Sequence, residues 1–138
     1  MPEAEIMANR VNVDVGQILP LHGTASGIAF LAASRLQVVS AYLEKPLQAF
    51  TAHTVTGPDT LAKAIAFAAA SGYSRSSQGY EEGVHSIGAA ILGADGQPIG
   101  ALAVASPVSR VDDAVAANQG AATVKAARLI AARLTGEA

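Results

Sequence analysis

The residues best able to do chemistry here are Leu21-His22-Gly23-Thr24-Ala25-Ser26-Gly27. An extended segment gives way there to a helix, and Thr24 or Ser26 can act as N-cap, its hydroxyl accepting from a first-turn amide. The side chains are small, so unpaired N–H groups and the positive end of the helix dipole face outward. Such a start can hold a small anion without any basic side chain. Other reactive types do not assemble as well. His22, His53 and His85 lie far apart, with nothing in their spacing that suggests a zinc site; His22 reads as a partner for nearby backbone. Glu81-Glu82 beside Tyr80 could hint at acid–base work, but neighbouring carboxylates in a polar loop are ordinarily just solvated. Ser86 sits in Val84-His85-Ser86-Ile87-Gly88, without the glycine two residues earlier that a nucleophile elbow needs. No Lys-Ser/Thr follows Gly83 or Gly88, so neither begins a phosphate loop. The sequence therefore leads us to expect a binding site, with no catalytic residue, no metal and no cofactor.

Composition narrows the class. The 138 residues make one ordinary domain. They are 51% hydrophobic but only 4% aromatic, which predicts a closely packed core of small side chains. Net charge is −2 with both signs scattered, so there is no basic stripe for nucleic acid. Cysteine is absent, which removes disulfides and thiolate metal sites and fits a reducing compartment. No apolar run approaches the roughly 20 residues of a membrane span, and the first residues lack a signal-peptide core. A cytoplasmic protein is the expectation.

The elements that must position the helix start follow from periodicity. Residues 1–8 read as frayed, and Val11-Asn12-Val13-Asp14-Val15 alternates as a strand with one wet face. Helices are expected over residues 24–33, around Leu36, Val39 and Leu43 until Pro46, and from Gly57-Pro58-Asp59 with a Leu61, Ile65, Ala68 stripe stopped by Gly72. Thr51 to Thr56 reads as extended, and Tyr73 to Gly83 as a polar loop with room for a short edge strand. Two apolar runs, Val84 to Leu92 and Ile99 to Ser106, flank the turn signal Asp95-Gly96. Being apolar on both sides, this hairpin is expected to be central and covered on both faces. Asp112 or Asp113 caps a long last helix, with Val115, Ala122, Ala126, Leu129, Ile130 and Leu134 on one face and Asn118, Lys125 and Arg128 on another.

Taken in order, four stretches resemble the effector-binding domain of the IclR family of bacterial transcription regulators. They are Leu19-Pro20-Leu21-His22 running into Thr24-Ala25-Ser26-Gly27; Thr51 with Thr54-Val55-Thr56 and on to Gly72-Tyr73; Gly83-Val84-His85-Ser86-Ile87 with Asp95-Gly96; and Ala101-Leu102-Ala103-Val104 with Pro107 and Arg110. The resemblance is colinear from about Gln17 to Leu134. It implies an α+β, GAF-like fold: an antiparallel sheet with helices packed on it and a long C-terminal helix. It also implies a ligand-sensing role in transcription regulation, without enzymatic activity. The family's helix-turn-helix and the first helix and strands of its effector domain have no counterpart here, so residues 1–138 are expected to form a single, N-terminally truncated effector domain that makes no direct contact with DNA or membrane. Gly79 stands where the family fingerprint has an acidic residue, and Ile28 where it usually has Lys.

In related regulators small effectors, often short carboxylates or aromatic acids, lie between the first helix and the last two strands. The resemblance carries that site onto Ala25 and Ser26, Ser76 in the polar loop, Ser86, and Ala103 with Ala105. Positions 103 and 105 alternate onto one face of a strand, so both can look into one cavity. The family often has hydroxyls at these last two positions and a carboxylate at the loop position, where this chain has two methyls and a hydroxyl. Two outcomes are open: a pocket for a larger or more apolar ligand, or a closed pocket and a domain that serves as an interaction module. Either is compatible with a homo-oligomer, dimer or tetramer, since an uncovered sheet edge or apolar surface would be closed by a second copy.

Overall fold

The computed structural model describes Gly16 and residues 18–136; the alternating run 11–15 and the expected frayed start lie outside the described residues. In chain order the elements are α1 (Ala25–Ala33), α2 (Leu36–Leu43), α3 (Pro58–Ser71), β1 (Ser74–Ser77), β2 (Val84–Leu92), β3 (Pro98–Pro107), a 3-10 turn (Val108–Arg110) and α4 (Asp113–Leu134). The three strands form one antiparallel sheet in the order β1-β2-β3. The architecture is α+β, with α1 and α4 on opposite faces of β2.

Local chemistry sets the helix ends. Thr24 caps α1, its Oγ1 accepting from Gly27 N at 3.0 Å and donating to Pro20 O at 2.9 Å. Pro58 occupies the first turn of α3, where a missing N–H costs nothing, and Asp59 sits there against the dipole. Gly72 ends that helix at φ 88°, a conformation that strains any residue with a Cβ. Asp112 caps α4, its Oδ1 accepting from Val115 N at 2.8 Å. Asp95-Gly96 forms the β2–β3 turn: Gly93 N donates to Gln97 O and Gly96 N to Gly93 O.

The main apolar cluster lies between α1 and α3 and consists of Ile28, Leu31, Leu61, Ile65 and Ala68. Leu31 and Leu61 are fully buried, each contributing about 1.5–3 kcal/mol. Ile28 is 2% exposed in this cluster, where a lysine would carry its charge into the core. The face of the sheet under α4 is tighter. Ile87 and Ala89 meet a stripe of Ala116, Gly120, Thr123 and Ala127.

Three expectations differ from what the chain does. Thr51 begins a hydrogen-bonded turn rather than an extended segment, because Thr54 N donates to Thr51 O and both hydroxyls reach across to another loop. The hairpin is central only in β2. Among the described residues β3 is an edge strand, with Ile99 57% and Val104 38% exposed. The buried stripe of α4 is also not the expected one. Leu129 and Leu134 face outward, since only small residues let the helix approach the sheet this closely.

Candidate functional site

The start of α1 rests on the sheet through two residues of one cross-strand row. Ser74 and Gly88 are opposite each other on β1 and β2. Ser74 Oγ donates to Ala25 O at 2.5 Å. A Cβ on Gly88 would stand 2.5 Å from that same carbonyl oxygen, so the missing side chain is what lets the helix turn dock. Ser76, Ser86 and Ala105 form the next row on the same face. Over it the protein does not fill the space, and a cavity of about 270 Å³ opens.

All six residues singled out from the sequence line this one cavity: Ala25 and Ser26 from α1, Ser76 from β1, Ser86 from β2, and Ala103 and Ala105 from β3. Its remaining walls are Leu19, Gly23, Thr24, Gly79, Tyr80, Glu81 and Val84. Val84 was legible in principle, being two residues before Ser86 on a strand. Tyr80 and Glu81 were not, since a loop has no periodicity from which to read a direction.

Polar groups converge on the space from several sides. The Thr24 cap consumes Gly27 N, and Ile28 N donates to Thr24 O. The amides of Ala25 and Ser26 and the hydroxyls of Ser26 and Ser86 meet no partner among the described residues. Ser76 Oγ donates weakly to Gly23 O at 3.4 Å. None of the lining residues is basic, and Glu81 brings a carboxylate. The arrangement therefore offers helix-end amides and hydroxyls to one end of a ligand, methyl groups to its body, and an acceptor at the rim. It contains no acid–base pair or nucleophile–base pair.

The loop over the cavity is held from outside. Thr51 Oγ1 donates to Gln78 O at 2.5 Å and Thr54 Oγ1 to Gly79 O at 2.6 Å. Gln78 turns at φ 60° while its Oε1 accepts from Gly83 N. Gly79 is closed in by its neighbours: a Cβ there would stand 2.6 Å from Ser76 Oγ and 3.0 Å from Gly23 O. An acidic side chain at this position could not fit without opening the loop.

The histidines do not converge. His22 is buried, Nδ1 2.7 Å from Tyr42 Oη and Nε2 2.8 Å from Gln48 O, so its ring bonds a backbone carbonyl, though one far along the chain, and a tyrosine hydroxyl. His85 points to the opposite face from Ser86, toward α4. Burial, and then the Arg75 charge beside it, hold its pKa below the ordinary 6.5. A larger hollow of about 510 Å³ lies past the end of β1, between Ala29 and Ala33 of α1 and Ala127 and Ala131 of α4. Its walls are mostly alanine, with Arg128 and Thr135 as the polar side chains among them.

Comparison with known proteins gives one answer. A family model described as the bacterial transcriptional regulator IclR C-terminal region matches residues 3–132. The transcriptional repressor IclR of Escherichia coli (strain K12) is 32% identical over 120 residues, which is 86% of this chain and 44% of that protein. An IclR-type transcriptional regulator from Silicibacter sp. TM1040 superposes with TM-score 0.83 at 37% identity, over 95% of this chain and 51% of the other. The inducer-binding domain of the Acinetobacter transcription factor PobR, a double mutant in complex with 3-hydroxybenzoic acid, gives TM-score 0.76 at 28% identity, over 89% and 73%. The chain spans less than half the length of the curated relatives named here. No helix among the described residues is long and apolar enough to cross a membrane.

Proposed function

This chain belongs to the IclR family of bacterial transcriptional regulators as a C-terminal domain, and from that premise we propose that it is the regulator's effector-sensing part. Ser26, Ser76, Ser86, Ala25, Ala103 and Ala105 form the effector site. The effector is a small aromatic acid or another short carboxylate, its anionic end on the Ala25 and Ser26 amides and its body against the methyl groups of β3. The family's named proteins are repressors and regulators of transcription rather than enzymes, and the site's lack of any catalytic pair agrees with that. Binding acts by population shift: the ligand favours one packing of α1 on the hairpin, and the difference passes to the rest of a cytoplasmic regulator.

One observation carries the reading. The six residues converge on a single unfilled space over a helix N-terminus, and a related domain carries 3-hydroxybenzoic acid. The test is thermal unfolding of the chain with benzoate, 3-hydroxybenzoate, 4-hydroxybenzoate, acetate and pyruvate. A ligand at 100 times its Kd stabilises by about 2.7 kcal/mol, a shift of several degrees. Stabilisation by an aromatic acid that disappears in Ser86→Leu is expected. No shift from any of them at millimolar concentration counts against the site.

A second reading, an interaction module, is favoured by β3. Its ten residues carry no charge, and their outer edge is unpaired among the described residues. Natural sheets rarely leave such an edge bare. Ala103 and Ala105 line the cavity yet are themselves exposed, so a second copy pairing along β3 would also wall the site. Light scattering is expected to give a dimer or tetramer, reduced to monomer by Val104→Lys. A monomer at high concentration in the unaltered chain removes this reading and leaves the first intact.

A further inference from the structure

The face of the strands turned away from the cavity carries a polar cluster beneath α4. His85 is 3% exposed. From β1, Arg75 reaches His85 Nε2 with its Nε at 3.4 Å, and Asp113 Oδ1 on α4 with its Nη1 at 3.2 Å. From β3, Ser106 is the register partner of His85, and its Oγ accepts from Gln119 Nε2 at 3.2 Å. Gln119 of α4 thus lies over the His85–Ser106 pair, whose Cβ atoms, as in any such pair, are about 4.5–5.5 Å apart. Two buried side-chain atoms lack a partner among the described residues: His85 Nδ1 and Gln119 Oε1.

Arg75 decides the tautomer. A guanidinium N–H can only donate, so Nε2 must present its lone pair and the neutral ring carries its hydrogen on Nδ1. A donor without an acceptor and an amide oxygen without a donor are then carried by the two side chains that flank Ser106, one its register partner and the other bonded to its hydroxyl. Buried polar groups are rarely left so. We propose that His85 Nδ1–H reaches Gln119 Oε1 through one buried water, as an acid-sensitive latch that holds α4 on the sheet. Protonation leaves the Nδ1–H donor in place but adds a hydrogen at Nε2, facing the Arg75 donor, so that contact turns from attraction to repulsion and the buried imidazolium gains water only when α4 lifts. The charged groups around the ring are Arg75 from β1 and, through it, Asp113 from α4; β3 contributes only the neutral Ser106. Burial and the Arg75 charge, both of which disfavour the imidazolium, keep the latch closed at neutral pH.

The latch stands back to back with the cavity. Arg75 and His85 alternate along their strands with Ser76 and Ser86, so a shift of this ladder that accommodates a ligand also moves the seat of α4. This last step rests on the effector reading; the latch itself does not, and its test needs no ligand.

Nitrogen NMR of the histidine rings in the unaltered chain reads the tautomer directly. At pH 7.5 His85 is expected in the Nδ1–H form, and an Nε2–H form overturns the proposal. Amide exchange, corrected for intrinsic rate, is then compared at pH 7.5 and 5.5. The expected result is loss of protection in residues 114–123 with protection of α3 retained. Unchanged protection in α4, or its loss across the whole chain together, overturns the switch. Gln119→Glu supplies a charged acceptor and is expected to raise the His85 titration midpoint; an unmoved midpoint means that Gln119 does not bond the ring.

Discussion

Ser76 and Ser86 stand directly opposite each other across the β1–β2 ladder, on the face that α1 covers. One row nearer the start of α1, Ser74 and Gly88 hold the helix down; one row further, nothing does. The cavity is therefore a consequence of where the docking stops. The Ser86 hydroxyl, half-buried and without a protein partner among the described residues, is its most available polar group.

Removing that hydroxyl should weaken ligand binding without harm to the fold. Ser86→Ala loses one hydrogen bond, worth about 1.5 kcal/mol when the acceptor is charged, and so about tenfold in Kd by calorimetry. Ser86→Leu fills the space and should abolish binding. Ser77→Ala, on an exposed position of the same strand pair, should leave affinity unchanged. A Ser86→Leu protein that binds as the unaltered chain does would move the site elsewhere.

Gly88 should tolerate no side chain. Its Cβ would stand 2.5 Å from the Ala25 carbonyl, which belongs to backbone and cannot swing aside. Gly88→Ala must lift α1 from β2, break the Ser74–Ala25 bond and enlarge or deform the cavity. Overpacking of this kind costs about 1–3 kcal/mol, and thermal unfolding should fall by roughly 5–10 °C. A midpoint within a degree of the unaltered chain would mean that the helix start is not seated on this row.

Much of this was legible beforehand, for a definite reason. The Gly57-Pro58-Asp59 start, the Gly72 stop and the Asp95-Gly96 turn are local chemistry, decided by a few adjacent atoms. The six cavity residues came from the family resemblance, and strand alternation added that Ala103 and Ala105 share one face. Failures came where a distant partner decides. Thr51 and Thr54 look like strand formers, but their hydroxyls are spent on the carbonyls of Gln78 and Gly79, and that bends the chain. The leucines of α4 look like its core face, yet the sheet accepts only Ala116, Gly120, Thr123 and Ala127 at this approach. Tyr80 and Glu81 joined the cavity through a loop conformation fixed by Gln78, for which the sequence has no signal.

Stability should depend on pH through His85. Its pKa in the folded protein is lowered, by burial and then by Arg75, below the 6.5 of the unfolded chain. The unfolded state therefore takes up the proton first. The contribution is complete above pH 6.5 and is lost as pH falls from there toward the folded-state value. Urea midpoints at pH 7.5, 6.5 and 5.5 should decline in that order, with the decline flattened in His85→Leu. An equal decline in the variant would assign the effect to carboxylates.

Gly120 poses a contest between propensity and packing. In an exposed helix, alanine would be better than glycine by about 1 kcal/mol. Here a Cβ would stand 2.6 Å from the ring of Tyr73, which meets Phe67 edge-on at 5.5 Å between centroids. The ring can yield only by leaving Phe67. Gly120→Ala alone should therefore be destabilising, by about 1–2 kcal/mol in urea unfolding. In a Tyr73→Ala background the obstruction is gone, and the same substitution should stabilise by about 1 kcal/mol. The cycle of the two single variants and the double variant should give a coupling of about 2–3 kcal/mol. Additive effects would show that the ring is not what keeps residue 120 small, and that α4 approaches the sheet closely for some other cause.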